Sequence, residues 1–165
     1  MNAVNAGLLV LRVALGAVLL AHGVKHVRNK NGTMKWTESI GFSAPAVQWF
    51  FMSFAEIGVG ISLIVGLLTS VGAAGLISLM SVAYWTVHRH AGFWVTARPD
   101  EGWEYVLVLG ASATGLALFG PGEWSVDDAI GIADSLDAWV GLLLVVGGVV
   151  AAAVQLAVFY RRPAD

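Results

Sequence analysis

Residues 6–27 read AGLLVLRVALGAVLLAHGVKHV, and this run decides the fold. Arg12 is the one ionisable residue in its first sixteen positions, and His22, Lys25 and His26 stand near its end. A helix needs roughly 20 mostly apolar residues to cross the hydrocarbon core of a bilayer, because it rises about 1.5 Å per residue. The run therefore predicts a transmembrane helix that ends in a cluster of titratable side chains.

The composition of the whole chain supports this prediction. Of its 165 residues, 58% are hydrophobic and 12% are charged, and the mean hydropathy is +0.77. A soluble domain carries about twice that charged fraction. We therefore expect an all-α integral membrane protein whose first partner is the lipid bilayer. The net charge of −2 gives no reason to expect a nucleic acid partner, and the absence of cysteine excludes disulfides and thiolate metal sites.

Apolar runs of sufficient length recur along the chain, and a short break near Thr69–Ser70 makes the second and third a tight helical hairpin. No basic residue precedes the first run, so we expect a retained span rather than a signal peptide. The five predicted spans cover residues 6–27, 46–69, 71–88, 104–120 and 138–160.

The distribution of charge predicts the orientation of these spans. Lys and Arg occur in the connections 28–45 and 89–103 and in the C-terminal tail, whereas five acidic residues and no basic residue occupy 121–137. Basic connections stay on the cytoplasmic side of the membrane. Five spans alternate without conflict if the N-terminus lies outside and the C-terminus lies in the cytoplasm.

Two further patterns concern the surroundings of the spans. Residues 33–42 suit a short helix along the cytoplasmic interface, although an amphipathic loop fits nearly as well. Small residues at four-residue spacing allow close helix packing, and we favour packing within the bundle over a homo-oligomer interface. These rows are Gly58, Ser62 and Gly66; Ala111 and Gly115; Gly147 and Ala151; and Gly148 and Ala152.

Ionisable residues inside the spans are costly and need partners or water. Counted by helical rise from the cytoplasmic ends, most of them reach one level of the membrane and predict a shared cytoplasmic-side pocket. Arg12 instead lies near the outer face, within reach of the acidic connection. The residues that point to the pocket are His22, Lys25, Glu56, His88 and Glu104.

Several of these residues also have a purely structural interpretation. Glu56 is either the partner of Lys25 or Arg12 in a salt bridge, or a carboxylate that handles protons or faces a ligand. Lys25 lies within snorkelling distance of the lipid headgroups. For His26 and His90 we favour simple hydrogen bonding at the membrane interface.

The histidine spacing also allows a metal or haem site. His22 and His26 lie four residues apart on one helix face, and His22 and His88 sit on different spans as bis-histidine haem ligation requires. No paired carboxylate or cysteine accompanies them, so the sequence favours neither a metal nor a haem.

Six short motifs occur in order along residues 6–128: AHGVKH, GTMKWTESIGF, AEIGVGISLIVGLLT, HRHAGFW, EGWEYVLVL and GPGEWSVD. Together they resemble the DoxX family of small bacterial membrane proteins. The resemblance implies a four-helix bundle in the bacterial plasma membrane that is associated with oxidoreductase systems. Relatives include subunits of thiosulfate:quinone oxidoreductases and a component of a mycobacterial membrane complex linked to superoxide and thiol stress. The polar residues carried over by position are His22, Lys25, Glu56, His88, Glu104 and Tyr105.

The chain departs from this family pattern by its fifth span. We therefore divide it into a DoxX-like four-helix domain, residues 1–137, which includes the acidic outer connection, and an additional helix with a basic tail, residues 138–165. The additional helix offers a docking face for a partner protein.

The resemblance and the polar pocket together favour a quinone as the ligand, since quinone chemistry moves protons with electrons. Tyr84, Trp85 and Trp103 are the aromatic residues that could flank its ring. We expect a redox-associated subunit that binds a quinone or shapes a quinone site for an oxidoreductase partner. The alternatives are a scaffold subunit without chemistry of its own and, less favoured on architecture, a proton-coupled carrier. Whether the chain has any catalytic activity stays open.

Overall fold

The structure is a computed structural model that describes residues 2–163, and within that range it is helical without a β-strand. Met1, Ala164 and Asp165, at the outer limits of the two predicted domains, lie outside the described residues. The helices are α1 (Ala3–Arg28), α2 (Lys30–Ser39), α3 (Pro45–Val65), α4 (Thr69–Thr86), α5 (Glu104–Phe119), α6 (Val126–Ala129), α7 (Ala133–Leu136) and α8 (Ala138–Phe159), with a 3-10 turn at His88–His90 between α4 and α5.

The five long helices α1, α3, α4, α5 and α8 correspond to the five predicted spans. The hairpin between the second and third spans turns at 66–68, slightly before the predicted break, because Gly66 ends α3 in the left-handed conformation with φ 72°. Leu68 is also left-handed, with φ 51°, and α4 begins at Thr69. Residues 30–39 form a true helix, α2, which resolves the choice between helix and loop in favour of the helix.

Three of the described helices are long and apolar enough to cross a membrane, namely α1, α3 and α8. α5 is apolar but has 16 residues, and a rise of about 1.5 Å per residue makes it shorter than a typical hydrocarbon core of about 30 Å. The described chain is therefore an all-helical membrane protein. Five crossings and the side on which each terminus lies stay predictions.

The helices form a ring of four with a fifth helix packed outside it. α1 packs along α3, α3 contacts α4, α4 contacts α5, and α5 returns to α1, while α8 packs on α4 and α5. A Cβ added at Gly60 of α3 would lie 2.8 Å from the Gly16 carbonyl oxygen of α1, so the two backbones touch at this crossing. A Cβ added at Gly58, two residues earlier, would have no atom within 4 Å.

The small-residue rows are therefore used in part. Gly148 packs directly on the backbone of Ala74, and Ala152 is buried beside it, so this row serves packing within the bundle as predicted. Gly115 and Gly147 have open space where a Cβ would stand. In the row Gly58, Ser62 and Gly66, only Gly58 has open space. A Cβ at Gly66 would meet the guanidinium of Arg12 on α1, and a Cβ at Gly72 of α4 would lie 2.7 Å from Ser62 Oγ.

The ends of the bundle differ in charge as the sequence predicts. One end, here called the basic end, gathers 28–45, 87–103 and 160–163; for example, the backbone N–H of Ser43 donates to the carbonyl of Phe159 at 2.8 Å. The opposite acidic end gathers the start of α1, the 66–68 turn and 120–137. There the backbone N–H of Glu123 donates to Asn5 Oδ1 at 3.2 Å.

Arg12 is fully buried near the acidic end. Its guanidinium donates to the carbonyls of Leu63 at 3.3 Å and Trp124 at 2.6 Å. The side chain points toward the acidic connection as expected, but it does so through the protein interior, because two backbone carbonyls there accept hydrogen bonds from its N–H groups. It therefore serves to bind the 120–137 segment to α1 and α3.

Candidate functional site

A cavity of about 660 Å³ opens among α1, α2, α3 and α4 at the basic end, close to the start of α5. Apolar side chains such as Leu19, Met52 and Leu79 form part of its wall. We call it the basic-end cavity. Five of the eight predicted site residues line it: His22, Lys25, Glu56, His88 and Tyr105.

Glu56 stands at the buried side of this cavity. The residue is 8% exposed, and its Oε2 atom makes no hydrogen bond to the described residues. One titratable side chain approaches this carboxylate: His26 Nε2 lies 3.7 Å from Glu56 Oε2. Of the two alternatives for Glu56, the salt bridge to Lys25 or Arg12 is not formed among the described residues, since Arg12 is bound at the acidic end and the ion pair of Glu56 is with His26.

His26, for which the sequence favours simple hydrogen bonding at the membrane interface, also lines the cavity. Its Nδ1 atom lies 3.3 Å from Thr33 Oγ1, and its ring stacks on Trp36 at 6.3 Å between centroids and 12° between planes. Thr33 and Trp36 belong to α2, which folds back beside the end of α1. α2 therefore covers the His26 side of the end of α1, which a count of depth along one helix does not reveal.

His22 and His88 enter the cavity wall from α1 and from the turn after α4. Nδ1 of His22 donates to the carbonyl of Val18 at 2.9 Å, and Nδ1 of His88 donates to the carbonyl of Glu101 at 2.7 Å. A carbonyl oxygen accepts and cannot donate, so Nδ1 carries the proton in both rings. In a neutral imidazole this leaves Nε2 as an acceptor.

The other three predicted residues do not line this cavity. Tyr84 and Trp103 contact each other edge to face at 6.2 Å and line a separate groove among α4, α5 and α8. The Glu104 carboxylate accepts a hydrogen bond from the Val95 backbone N–H at 3.0 Å and orders the connection before α5. Tyr84 and Trp103 thus line a different side of the bundle from His88.

Two polar residues that line the cavity, Gln48 and Gln155, were not predicted from the sequence. Gln155 Nε2 of α8 donates to Gln48 Oε1 of α3 at 2.9 Å, and both residues line the cavity. Gln48 lies two helical turns before Glu56 on the same face, and Gln155 is the one amide side chain within α8. Those two features were the available signal. The fifth helix is thus a structural part of the cavity wall.

The cavity residues suit proton exchange better than metal binding. The described residues include no group of three or more His, Asp or Glu side chains arranged to hold a metal ion. His22 and His26 do approach, with ring centroids 6.5 Å apart. A carboxylate and imidazoles beside an apolar wall can bind a polar ring system and exchange protons with it.

Comparison with protein families matches the DoxX family model over residues 7–89, about half of the chain. Comparison with curated proteins and with solved structures finds no match. The matched residues run from α1 to the turn after α4 and include His22, His26, Glu56 and His88, whereas α5 to α8 follow the match. The chain belongs to the DoxX family of membrane proteins.

Proposed function

We propose that the basic-end cavity binds the ring of a quinone and that the protein serves a membrane oxidoreductase system as the subunit that forms this site. The observation that carries the proposal is the pairing of Glu56 with His26 at 3.7 Å inside a cavity of about 660 Å³. Small-molecule sites typically measure about 300–1,000 Å³ and combine apolar walls with a few polar groups.

The chemistry of a quinone fits these residues. Reduction of a quinone to a quinol adds two electrons and two protons, one proton to each ring oxygen. Glu56 and His26 are placed to supply or accept protons, and the electrons come from an oxidoreductase partner. In the bacterial plasma membrane the basic end faces the cytoplasm in this proposal, following the positive-inside rule.

The proposal is tested by measuring quinone that copurifies with the protein from bacterial membranes. Organic extraction and absorbance give the molar ratio of quinone to protein for the wild type and for Glu56→Gln and His26→Ala. We expect these variants to bind quinone about tenfold more weakly, which corresponds to about 1.4 kcal/mol. Glu38→Gln and His90→Ala are the matched controls, because both residues are exposed and neither lines the cavity.

Added quinone provides a second measurement. A ligand at 100 times its Kd stabilises the folded protein by about 2.7 kcal/mol, so a soluble short-chain quinone should raise the Tm of the wild type. If the wild type and Glu56→Gln have equal Tm values in the absence of quinone, the variant still folds. Undiminished quinone binding by both cavity variants would refute the proposed site.

A scaffold function is the second candidate, favoured by one feature of α8. This helix lies beyond the residues that match the family model and turns large apolar side chains outward, with Trp139 79% and Leu143 70% exposed. Leu143→Ala together with Trp139→Ala should then release a copurifying membrane protein while quinone binding stays unchanged. Retention of the partner protein by this double variant would contradict the scaffold function.

A further inference from the structure

A second concavity of about 450 Å³ lies among α4, α5 and α8, and we call it the lateral groove. Small residues of α5 and α8 leave this space open: Gly110 and Ala111 face Ala152 and Ala153 across it. Among the described residues that line the groove, none is charged. Its depth runs about two helical turns along α4, from Tyr84 to Ile77, or about 10 Å.

The mouth of the lateral groove lies at the basic end and is aromatic. Tyr84, Trp85 and Trp103 gather there, and the guanidinium carbon of Arg89 lies 3.8 Å from the centre of the Trp85 ring. Tyrosine and tryptophan prefer the headgroup zone of a bilayer, where one end of the side chain is apolar and the other is wet. A guanidinium stacked on an aromatic face is held in place by cation–π attraction.

The acidic side chains of the same connection face elsewhere. Asp100 and Glu101 line the basic-end cavity, on another side of the bundle, and the Glu104 carboxylate is occupied by the Val95 backbone N–H at 3.0 Å. Arg89 does not line the groove itself but is held on the ring of Trp85, which does, so a cation stands beside an uncharged and mainly apolar slot. This arrangement complements a ligand with an anionic head and a hydrocarbon tail.

We propose that the lateral groove binds an anionic phospholipid, with the phosphate at Arg89 and the first part of an acyl chain along Ile77 and Val149. Basic sites at the cytoplasmic ends of transmembrane helices recognise anionic lipid headgroups through the same chemistry. α4, α5 and α8 contact one another in all three pairs, so the slot between them is too narrow for another helix of about 10 Å diameter but suits an acyl chain.

The test compares phosphatidylglycerol with phosphatidylcholine of identical acyl chains, added to the detergent-purified protein and followed by native mass spectrometry and Tm. We expect the wild type to retain phosphatidylglycerol selectively. Arg89→Gln should weaken that binding about fivefold, the effect of about 1 kcal/mol per basic residue near an anionic headgroup. Arg98→Gln, an exposed arginine of the same connection, should change it little.

A pair of alanines in α8 tests the slot independently of the charge. Ala153 and Ala151 are both exposed, but Ala153 lines the groove and Ala151 does not. Ala153→Leu should abolish the Tm increase caused by phosphatidylglycerol, whereas Ala151→Leu should preserve it, with unchanged Tm values in detergent alone.

Three outcomes would overturn the proposal. Equal retention of both lipids by the wild type would remove the role of Arg89. An equal Tm increase with inorganic phosphate would reduce the site to a simple anion site without a tail. A dimer that Ala153→Leu converts to a monomer would identify a second copy of the chain as the occupant of the groove.

Discussion

Asp127 provides the sharpest test of how the acidic end is held together. Its side chain is 1% exposed, and its two carboxylate oxygens accept hydrogen bonds from the backbone N–H groups of Leu68 at 2.6 Å and Thr69 at 2.8 Å. Leu68 is the residue directly before α4 and Thr69 is its first residue, so both N–H groups lack an intrahelical partner. Asp127 thus caps α4 from a segment almost 60 residues away in the chain.

The magnitude of this cap follows from its two bonds. A hydrogen bond to a charged group contributes about 1.5–3 kcal/mol, and a side-chain cap replaced by alanine costs about 0.5–2 kcal/mol. Asp127→Ala leaves both N–H groups without a partner in the protein, so we expect the free energy of unfolding to fall by about 3 kcal/mol. Asp127→Asn should lower the free energy of unfolding by less than Asp127→Ala, because its amide oxygen can still accept one of the two hydrogen bonds.

The assay is reversible unfolding in mixed detergent and dodecyl sulfate micelles, followed by circular dichroism. Asp128→Ala is the matched control, since Asp128 is the exposed neighbour and should change the free energy by less than about 0.5 kcal/mol. A loss below about 1 kcal/mol for Asp127→Ala, or an equal loss for both variants, would refute the capping role.

Three further predictions concern the bundle itself. Gly60→Leu should destabilise the fold by about 1–3 kcal/mol by forcing α1 from α3, whereas Gly58→Leu, with open space around it, should not; the same unfolding assay compares them. Because the chain lacks cysteine, Ser135→Cys should react with a membrane-impermeant maleimide in intact cells, and Ser39→Cys only after lysis; the reverse result would invert the topology. Truncation after Phe159 should speed hydrogen exchange in the connection between α2 and α3, since it removes the bridge between Phe42 and Tyr160; unchanged exchange would contradict that role.

The helices were predictable because apolar runs of the required length are rare outside membrane spans. What the sequence did not show was the side-chain chemistry at their ends. Nothing near Asp127 distinguishes it from Asp128, yet one is a buried cap and the other is exposed. The difference arises because the 120–137 segment folds over the turn between α3 and α4, and such a long-range contact leaves no periodic signal.

The sequence predicted at which end of the bundle the candidate site residues lie, but not toward which side of the bundle their side chains point. Counting about 1.5 Å per residue predicts that His88 and Glu104 lie at the same end of the bundle, and in the structure Glu104 accepts a hydrogen bond from Val95 in the connection that follows His88. The count does not say which side of the bundle each residue faces. Tyr84 and Trp103 line the lateral groove, whereas His88 lines the basic-end cavity. The contacts of His26 with Thr33 and Trp36 were not predictable for a similar reason, because the sequence does not show on which side of α1 the helix α2 packs.

The fifth helix connects the two proposed sites. Gln155 lines the basic-end cavity, and the next residue, Leu156, lines the lateral groove. Successive residues of a helix point about 100° apart, so the last turns of α8 separate the two spaces as a shared wall. Loss of α8 would therefore remove lipid and quinone binding together and could not tell one from the other. Glu56→Gln and Ala153→Leu each alter a single space, which is why these substitutions can distinguish the two sites.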